Sequence, residues 1–185
     1  MPHRHTYADY ARLEAFSPLK FEFVDGHVHP MLESEEHFAL SGAMFWLLRN
    51  RLHRRSWRAH TSDLRIYVEA ARLATFPDAS VICGPMQRHE PSPDVTALNP
   101  AILVEVTSNS SEEYDLGEKR EYYQMIPSLR EYIIVSHRER RITVYARGGD
   151  NSWTSQVVTR GSRFAVPSLE TEIAVDDVYA NSTIP

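Results

Sequence analysis

Pro100-Ala101-Ile102-Leu103-Val104-Glu105-Val106-Thr107 is the stretch that decides the fold. Its apolar residues are nearly continuous rather than alternating. That is the pattern of a strand covered on both faces, and so of a central strand in a sheet packed between layers. Glu105 alone breaks the run. A carboxylate among Ile102, Leu103, Val104 and Val106 is costly unless a cation, a salt bridge or solvent at the strand end compensates it.

Downstream, residues 108–113 read as a turn and Tyr114 to Met125 as an amphipathic helix with Asp115 and Lys119 one turn apart. Two strands follow, Glu131–Val135 and Arg141–Ala146, then a turn at Gly148–Asn151 and an edge strand over Ser152–Val158. Upstream, four prolines between Gly84 and Pro100 predict a loop. Thr61–Val68 and Phe76–Cys83 read as strands joined by a connector of uncertain shape, and Asp78 opens the second of them. The longest helical pattern runs from Ser34 to about Arg55. Ser34 is its N-cap, Glu35 and Glu36 suit the positive end of its dipole, and Phe38, Gly42, Phe45, Leu48 and Leu52 form its apolar stripe. Asp25-Gly26 is a favoured hairpin turn between Lys20 and His29, with Phe21, Phe23 and Val28 on the core side and Glu22 on the other. Thr6 caps a first helix over Thr6–Phe16.

A helix, a hairpin, a long helix, three strands, a helix and more strands predict an α/β fold with a central mixed β-sheet flanked by helices. At 185 residues and 42 % hydrophobic the chain fits one domain, 1–185, with a core over about 6–160 and a C-terminal tail at 161–185. No apolar run reaches the roughly 20 residues that span a bilayer. The first residues lack a signal peptide's apolar stretch. The single cysteine, Cys83, excludes an internal disulfide and is expected as a small buried hydrophobe. These features favour the cytoplasm and no membrane partner. A net charge of −5 argues against coating nucleic acid by bulk attraction. Arg49, Arg51, Arg54, Arg55 and Arg58 offer a local basic patch for phosphates. The same cluster is also what a helix C-terminus favours on a solvated face.

Asp78, Glu105 and Lys119 lie on elements that a sheet could bring together. Two carboxylates suit Mg²⁺, which takes one or two of them plus waters and substrate phosphate. The ion would polarise a phosphoryl oxygen and acidify a water, while Lys119 would orient that water or steady developing negative charge. The competing reading is a structural salt bridge from Glu105 to Lys119 or an arginine. Pro93-Asp94 is an alternative Pro-Asp pair, but an apolar strand follows Asp78 directly and none follows Asp94. His27 and His29 share a strand face and could form a transition-metal pair with Glu33, Glu35 or His37 nearby, or remain exposed hairpin residues. His37 is expected to pack or cap, and Tyr122 and Tyr123 to pack. The chain has neither a Gly-x-Ser-x-Gly elbow nor a glycine-rich phosphate loop, which disfavours an acyl hydrolase and a nucleotide-driven motor.

From about Tyr7 to Tyr145 the chain resembles the Uma family of endonucleases, within the restriction-endonuclease-like PD-(D/E)xK superfamily. The likeness runs through Phe21–Gly26, His37, Pro77-Asp78, Pro100–Ser108, Asp115-x-x-x-Lys119-x-x-x-Tyr123 and Glu131–Val135. Their order and spacing together make it fairly specific. The resemblance implies a restriction-endonuclease-like core and Mg²⁺-dependent cleavage of nucleic acid, DNA in the first instance, with Mn²⁺ as a substitute ion. It makes Asp78 the first-motif aspartate, Glu105 the second-motif acid and Glu22 an early glutamate near the metal. The superfamily's lysine two residues after the acid is here Thr107, and Lys119 on the next helix matches that role. A homodimer is expected, because compact nucleases often use two active sites on a duplex. The alternative is a non-catalytic binding or assembly protein on the same scaffold.

Overall fold

A computed structural model of the protein describes residues 4–31, 34–52, 56–90 and 95–185. Arg54, Arg55, Glu33 and Asp94 lie outside the described residues. Helix α1 (Tyr7–Phe16) begins with a full capping box, Thr6 and Asp9 each satisfying the other's backbone N–H. Strands β1 (Phe21–Val24) and β2 (His27–Pro30) form the expected hairpin. Asp25 and Gly26 both adopt positive φ at its turn, as a tight two-residue connection requires. Helix α2 (Glu35–Arg49) starts at Ser34, whose hydroxyl accepts from the His37 backbone N–H.

The expected central mixed sheet is present with six strands, and a five-stranded sheet and a two-stranded one accompany it. A six-stranded mixed sheet takes the order β11 (Trp153–Thr159), β10 (Arg141–Arg147), β9 (Glu131–Val135), β8 (Pro100–Val106), β6 (Ala79–Cys83), β3 (Trp57–Thr61). Strands β8 and β9 are its parallel pair. A five-stranded sheet takes the order β2, β1, β5 (Leu73–Thr75), β4 (Arg65–Val68), β7 (Thr96–Ala97). The segment expected as one strand over 61–68 is split between the six- and five-stranded sheets, and the connector after it supplies β5. Every residue of β8 is buried, as its apolar run predicts.

Even-numbered β8 residues Ile102, Val104 and Val106 face α2, through Leu40, Met44, Leu47 and Leu48. Leu103 faces the other way, into a second cluster with Ile66, Val68 and Leu73 of the five-stranded sheet and Tyr123. The expected α2 stripe is therefore rotated. Leu48 and Leu52 are buried and Phe45 packs against the core, but Phe38 and Gly42 are exposed. The helix is apolar over more than one arc, and the sheet takes the arc at positions 40, 44, 47 and 48. Cys83 is exposed rather than buried, because it ends β6 beyond the covered part of the strand.

Residues 161–185 are not a tail. They form the hairpin β12 (Arg163–Val166) and β13 (Thr171–Ala174) and the short helix α5 (Val175–Val178). Phe164, Ile173, Val175 and Tyr179 join the α2-side core. The Tyr179 hydroxyl donates to the carbonyls of Ser136 and Arg141, and Glu131 accepts from the Ser168 backbone N–H and hydroxyl. Among the described residues no helix is long and apolar enough to cross a membrane.

Candidate active site

The helix expected over 114–125 is two, α3 (Glu112–Leu116) and α4 (Glu118–Gln124), meeting at Gly117. A Cβ on Gly117 would sit 2.9 Å from the Glu113 carbonyl oxygen, so the junction is built for a residue without one. This re-aimed pair connects parallel strands β8 and β9 and lies over the outer end of β8. Asp115, Lys119 and Tyr123 follow at four-residue spacing, and all three are buried on the same side.

Lys119 meets Glu105 there. Its Nζ is 2.8 Å from Glu105 Oε1, 3.4 Å from Glu22 Oε2 and 3.6 Å from Asp115 Oδ1. Glu22 arrives from β1, on the strand face opposite Phe23, as the alternation in the hairpin requires. Tyr123 donates to Glu105 Oε1 at 2.5 Å. Asp78 stands one position before β6. The last registered pair of the β6–β8 ladder is Ala79 with Val104, so Asp78 and Glu105 are the next residues along it, and both line the same cavity. Asp78 Oδ2 accepts from the Val106 backbone N–H at 2.7 Å, and Oδ1 is 2.6 Å from His37 Nε2.

Glu22, His37, Asp78, Glu105, Asp115 and Lys119 line one cavity of about 530 Å³, together with His29, Pro30, Met31, Ser108, Ser110 and Tyr114. Burial pushes the Glu105 carboxyl up to about 8, Lys119 opposes the rise, and Asp115 and Asp78 add to it. Burial likewise raises Asp115. For Lys119 burial favours the neutral amine, but Glu105, Glu22 and Asp115 outweigh it and hold the ammonium well above its ordinary range. Three carboxyl groups, Glu105, Glu22 and Asp115, thus surround one ammonium, and Asp78 lines the same cavity, a concentration of oxygen donors that suits a second cation.

Asp78, Glu105, Glu22 and Lys119 are all brought together. Arg49 and Arg58, the two arginines of the expected nucleic-acid-binding set among the described residues, are not. Arg49 lies twelve positions along α2 from His37, about 18 Å at about 1.5 Å per residue. Arg58 pairs with Ile82, four residues and about 13 Å along β6 from Asp78. Neither lines the cavity. Thr107 is turned to His137 Nδ1, 2.8 Å away, so the lysine's usual position two after the acid points out of the site. His27 and His29 are exposed with ring centroids 6.4 Å apart, and among the described residues no three His, Cys, Asp or Glu side chains form a metal cage. Sequence reasoning did not assign Asp115, His37 and Tyr123 to the site. The four-residue ladder 115–119–123 was a readable signal for two of them. His37 stood out only through the family resemblance, since its partner is 41 residues away.

The donor set fits a hard divalent cation. Asp78 and Glu105 are adjacent oxygen donors, and Mg²⁺ needs only one or two carboxylates from the protein. The chain matches the Uma2 family, described as "Putative restriction endonuclease", over residues 7–176. Two Synechocystis proteins are similar to it. One, "Uncharacterized protein slr1290", is 31 % identical over 92 % of this chain and 89 % of its own length. The other, "Uncharacterized protein sll1609", is 28 % identical over 80 % of this chain and 84 % of its own. A crystal structure from Anabaena variabilis, described as "a putative nuclease belonging to DUF820", shares the fold. Its TM-score is 0.72 at 15 % identity, covering 92 % of this chain and 97 % of that one. Family and fold together support a nuclease function on a restriction-endonuclease-like scaffold. The match spans nearly the whole chain and includes every element that carries the acidic cluster, and the protein belongs to the Uma2 family.

Proposed function

We propose that the protein is a Mg²⁺-dependent endonuclease that hydrolyses phosphodiester bonds in DNA, with Mn²⁺ able to replace Mg²⁺. One observation carries this reading. Lys119, from a separate helix, lies 2.8 Å from Glu105 in the cavity that Asp78 also lines. A purely structural ion pair would need one carboxylate, whereas this ammonium faces three and Asp78 stands beside them.

Asp78 and Glu105 would hold the ion, with Glu22 in support. When bound, Mg²⁺ supplies charge to the phosphoryl oxygen and acidity to an attacking water. The Val106 N–H and His37 fix the Asp78 carboxylate in one orientation, and Tyr123 does the same for Glu105. Pre-oriented ligands lose little freedom when a substrate arrives. Lys119, kept charged by its neighbours, would donate to the phosphoryl oxygens as negative charge builds on them. A homodimer and a cytoplasmic location belong to the same proposal.

The test is cleavage of plasmid and labelled oligonucleotides with Mg²⁺, with Mn²⁺ and with chelator. Asp78→Asn keeps the shape of the side chain and is expected to lower the rate at least ~100-fold. Equal cleavage by wild type and variant, or with and without chelator, rejects the reading.

A further inference from the structure

The nuclease reading above leaves open which form of nucleic acid enters the site, and the walls of the cavity bear on that. The five ionisable side chains at its floor, Glu22, Asp78, Glu105, Asp115 and Lys119, are between 2 and 8 % exposed. A phosphate on the face of a rigid duplex reaches only groups at the surface. Duplex binding also draws on a track of basic side chains. Among the described residues Lys119 is the only lysine or arginine lining this cavity, and it is already surrounded by carboxyls. At the rim stands another acid, Glu118.

The lining holds two kinds of residue besides the acids and Lys119. Val24, Pro30 and Met31, from the β1–β2 hairpin and the residue after it, are apolar. Ser108, Ser110 and Tyr114 are hydroxyl-bearing. A single nucleotide has the matching polarity: a base with apolar faces, and a sugar-phosphate that accepts hydrogen bonds. An unpaired strand can turn one nucleotide into a concave site, whereas a duplex must first break a pair and unstack it. Stacking of an unpaired base on a protein surface tolerates any sequence.

We propose that the cavity takes one unpaired nucleotide, its base against Val24, Pro30 and Met31 and its scissile phosphate toward Lys119, so that the enzyme acts on single-stranded or locally unpaired nucleic acid. This rests on the nuclease reading and names its substrate class. One pocket serves one strand, whether or not the chain pairs with a second copy.

The experiment compares one end-labelled DNA sequence in three forms: unpaired, fully paired with blunt ends, and paired except for an internal unpaired stretch. The protein is the full chain with Mg²⁺. The unpaired strand and the unpaired stretch are expected to be cut about 100-fold faster than the blunt duplex, reflecting the cost of unpairing. Asp78→Asn protein is expected to bind the unpaired strand at least ~10-fold tighter than the duplex by fluorescence anisotropy. Met31→Glu, which places a charge among the apolar residues of the lining, should weaken that binding about 10-fold while leaving the thermal unfolding transition in place. Equal or faster cutting of the blunt duplex overturns the substrate inference and leaves the nuclease reading standing. Cutting of none of the three overturns the nuclease reading, and this inference with it.

Discussion

Lys119 is the residue on which the buried cluster depends. Glu105, Glu22 and Asp115 all lie within 3.6 Å of its ammonium, and all are buried. Removing the ammonium leaves buried acids without their cation, so Lys119→Ala is expected to cost about 3–5 kcal/mol of stability as well as activity. Urea unfolding checks this, and an unchanged midpoint would show that the acids have another source of compensation. Asp78→Asn keeps an oxygen for the Val106 N–H and should stay within about 1.5 kcal/mol of wild type by the same assay. It is therefore the cleaner variant for testing catalysis. Glu105 makes a pH prediction. Its folded carboxyl titrates at about 8 because of burial, against an ordinary value of 4.5. Between those values the unfolded chain has lost the proton that the folded state keeps, so folding binds more protons and stability falls as pH rises. In metal-free protein the stability of wild type relative to Glu105→Gln should decline from pH 4.5 to 8 and then level off. A flat difference across that window contradicts the buried, proton-holding Glu105. A cation competes with that proton, so Mg²⁺ should raise the unfolding temperature more near pH 8 than near pH 6.

At the scale of elements, the site depends on how two connections aim their residues. Between β8 and β9 the chain makes a helix, breaks at Gly117 and makes another, which lets Asp115 and Lys119 both face Glu105. A methyl group at Gly117 would meet the Glu113 carbonyl oxygen at 2.9 Å. Gly117→Ala is therefore expected to destabilise the protein by about 1–3 kcal/mol and to lower activity with it, since α4 must shift to relieve the contact. Paired unfolding and cleavage measurements check this. Full activity with a normal unfolding midpoint would mean that the junction tolerates a side chain. The second connection is the β6–β8 ladder. Its antiparallel register sets Asp78 beside Glu105, and a slip of one residue would turn every side chain of one strand to the opposite face.

For the whole molecule, the last 25 residues contribute several side chains to the core. Phe164 and Ile173 are fully buried beside α2 and the six-stranded sheet, and Tyr179 ties α5 to the Ser136 and Arg141 carbonyls. Phe164→Ala is expected to cost about 3–5 kcal/mol, the range for emptying a buried aromatic site. Removal of residues 161–185 should abolish cooperative unfolding altogether, read by calorimetry. A truncated chain that still unfolds in one sharp transition would show that the core closes without them. The fold also separates Arg49 and Arg58 from the site. Arg49 ends the helix that His37 begins, and Arg58 lies toward the far end of the β6 ladder.

Local chemistry was legible in the residues themselves. The unbroken apolar run around Glu105 marked a central strand, Asp25-Gly26 a tight hairpin, and Thr6 and Ser34 two helix starts, because turns, caps and strand burial are decided within a few residues. The acids and Lys119 stood out because a charge in or beside an apolar run demands a partner. What the sequence could not decide was anything that depends on distant segments meeting. The division of the strands among separate sheets, the arc of α2 that faces inward, the place of residues 161–185 in the core and the His37–Asp78 contact all arise from packing between residues far apart in the chain. That packing also settled which acids share Lys119, since the burial that raises Glu105 exists only once the segments carrying Glu22, Glu105 and Lys119 have met.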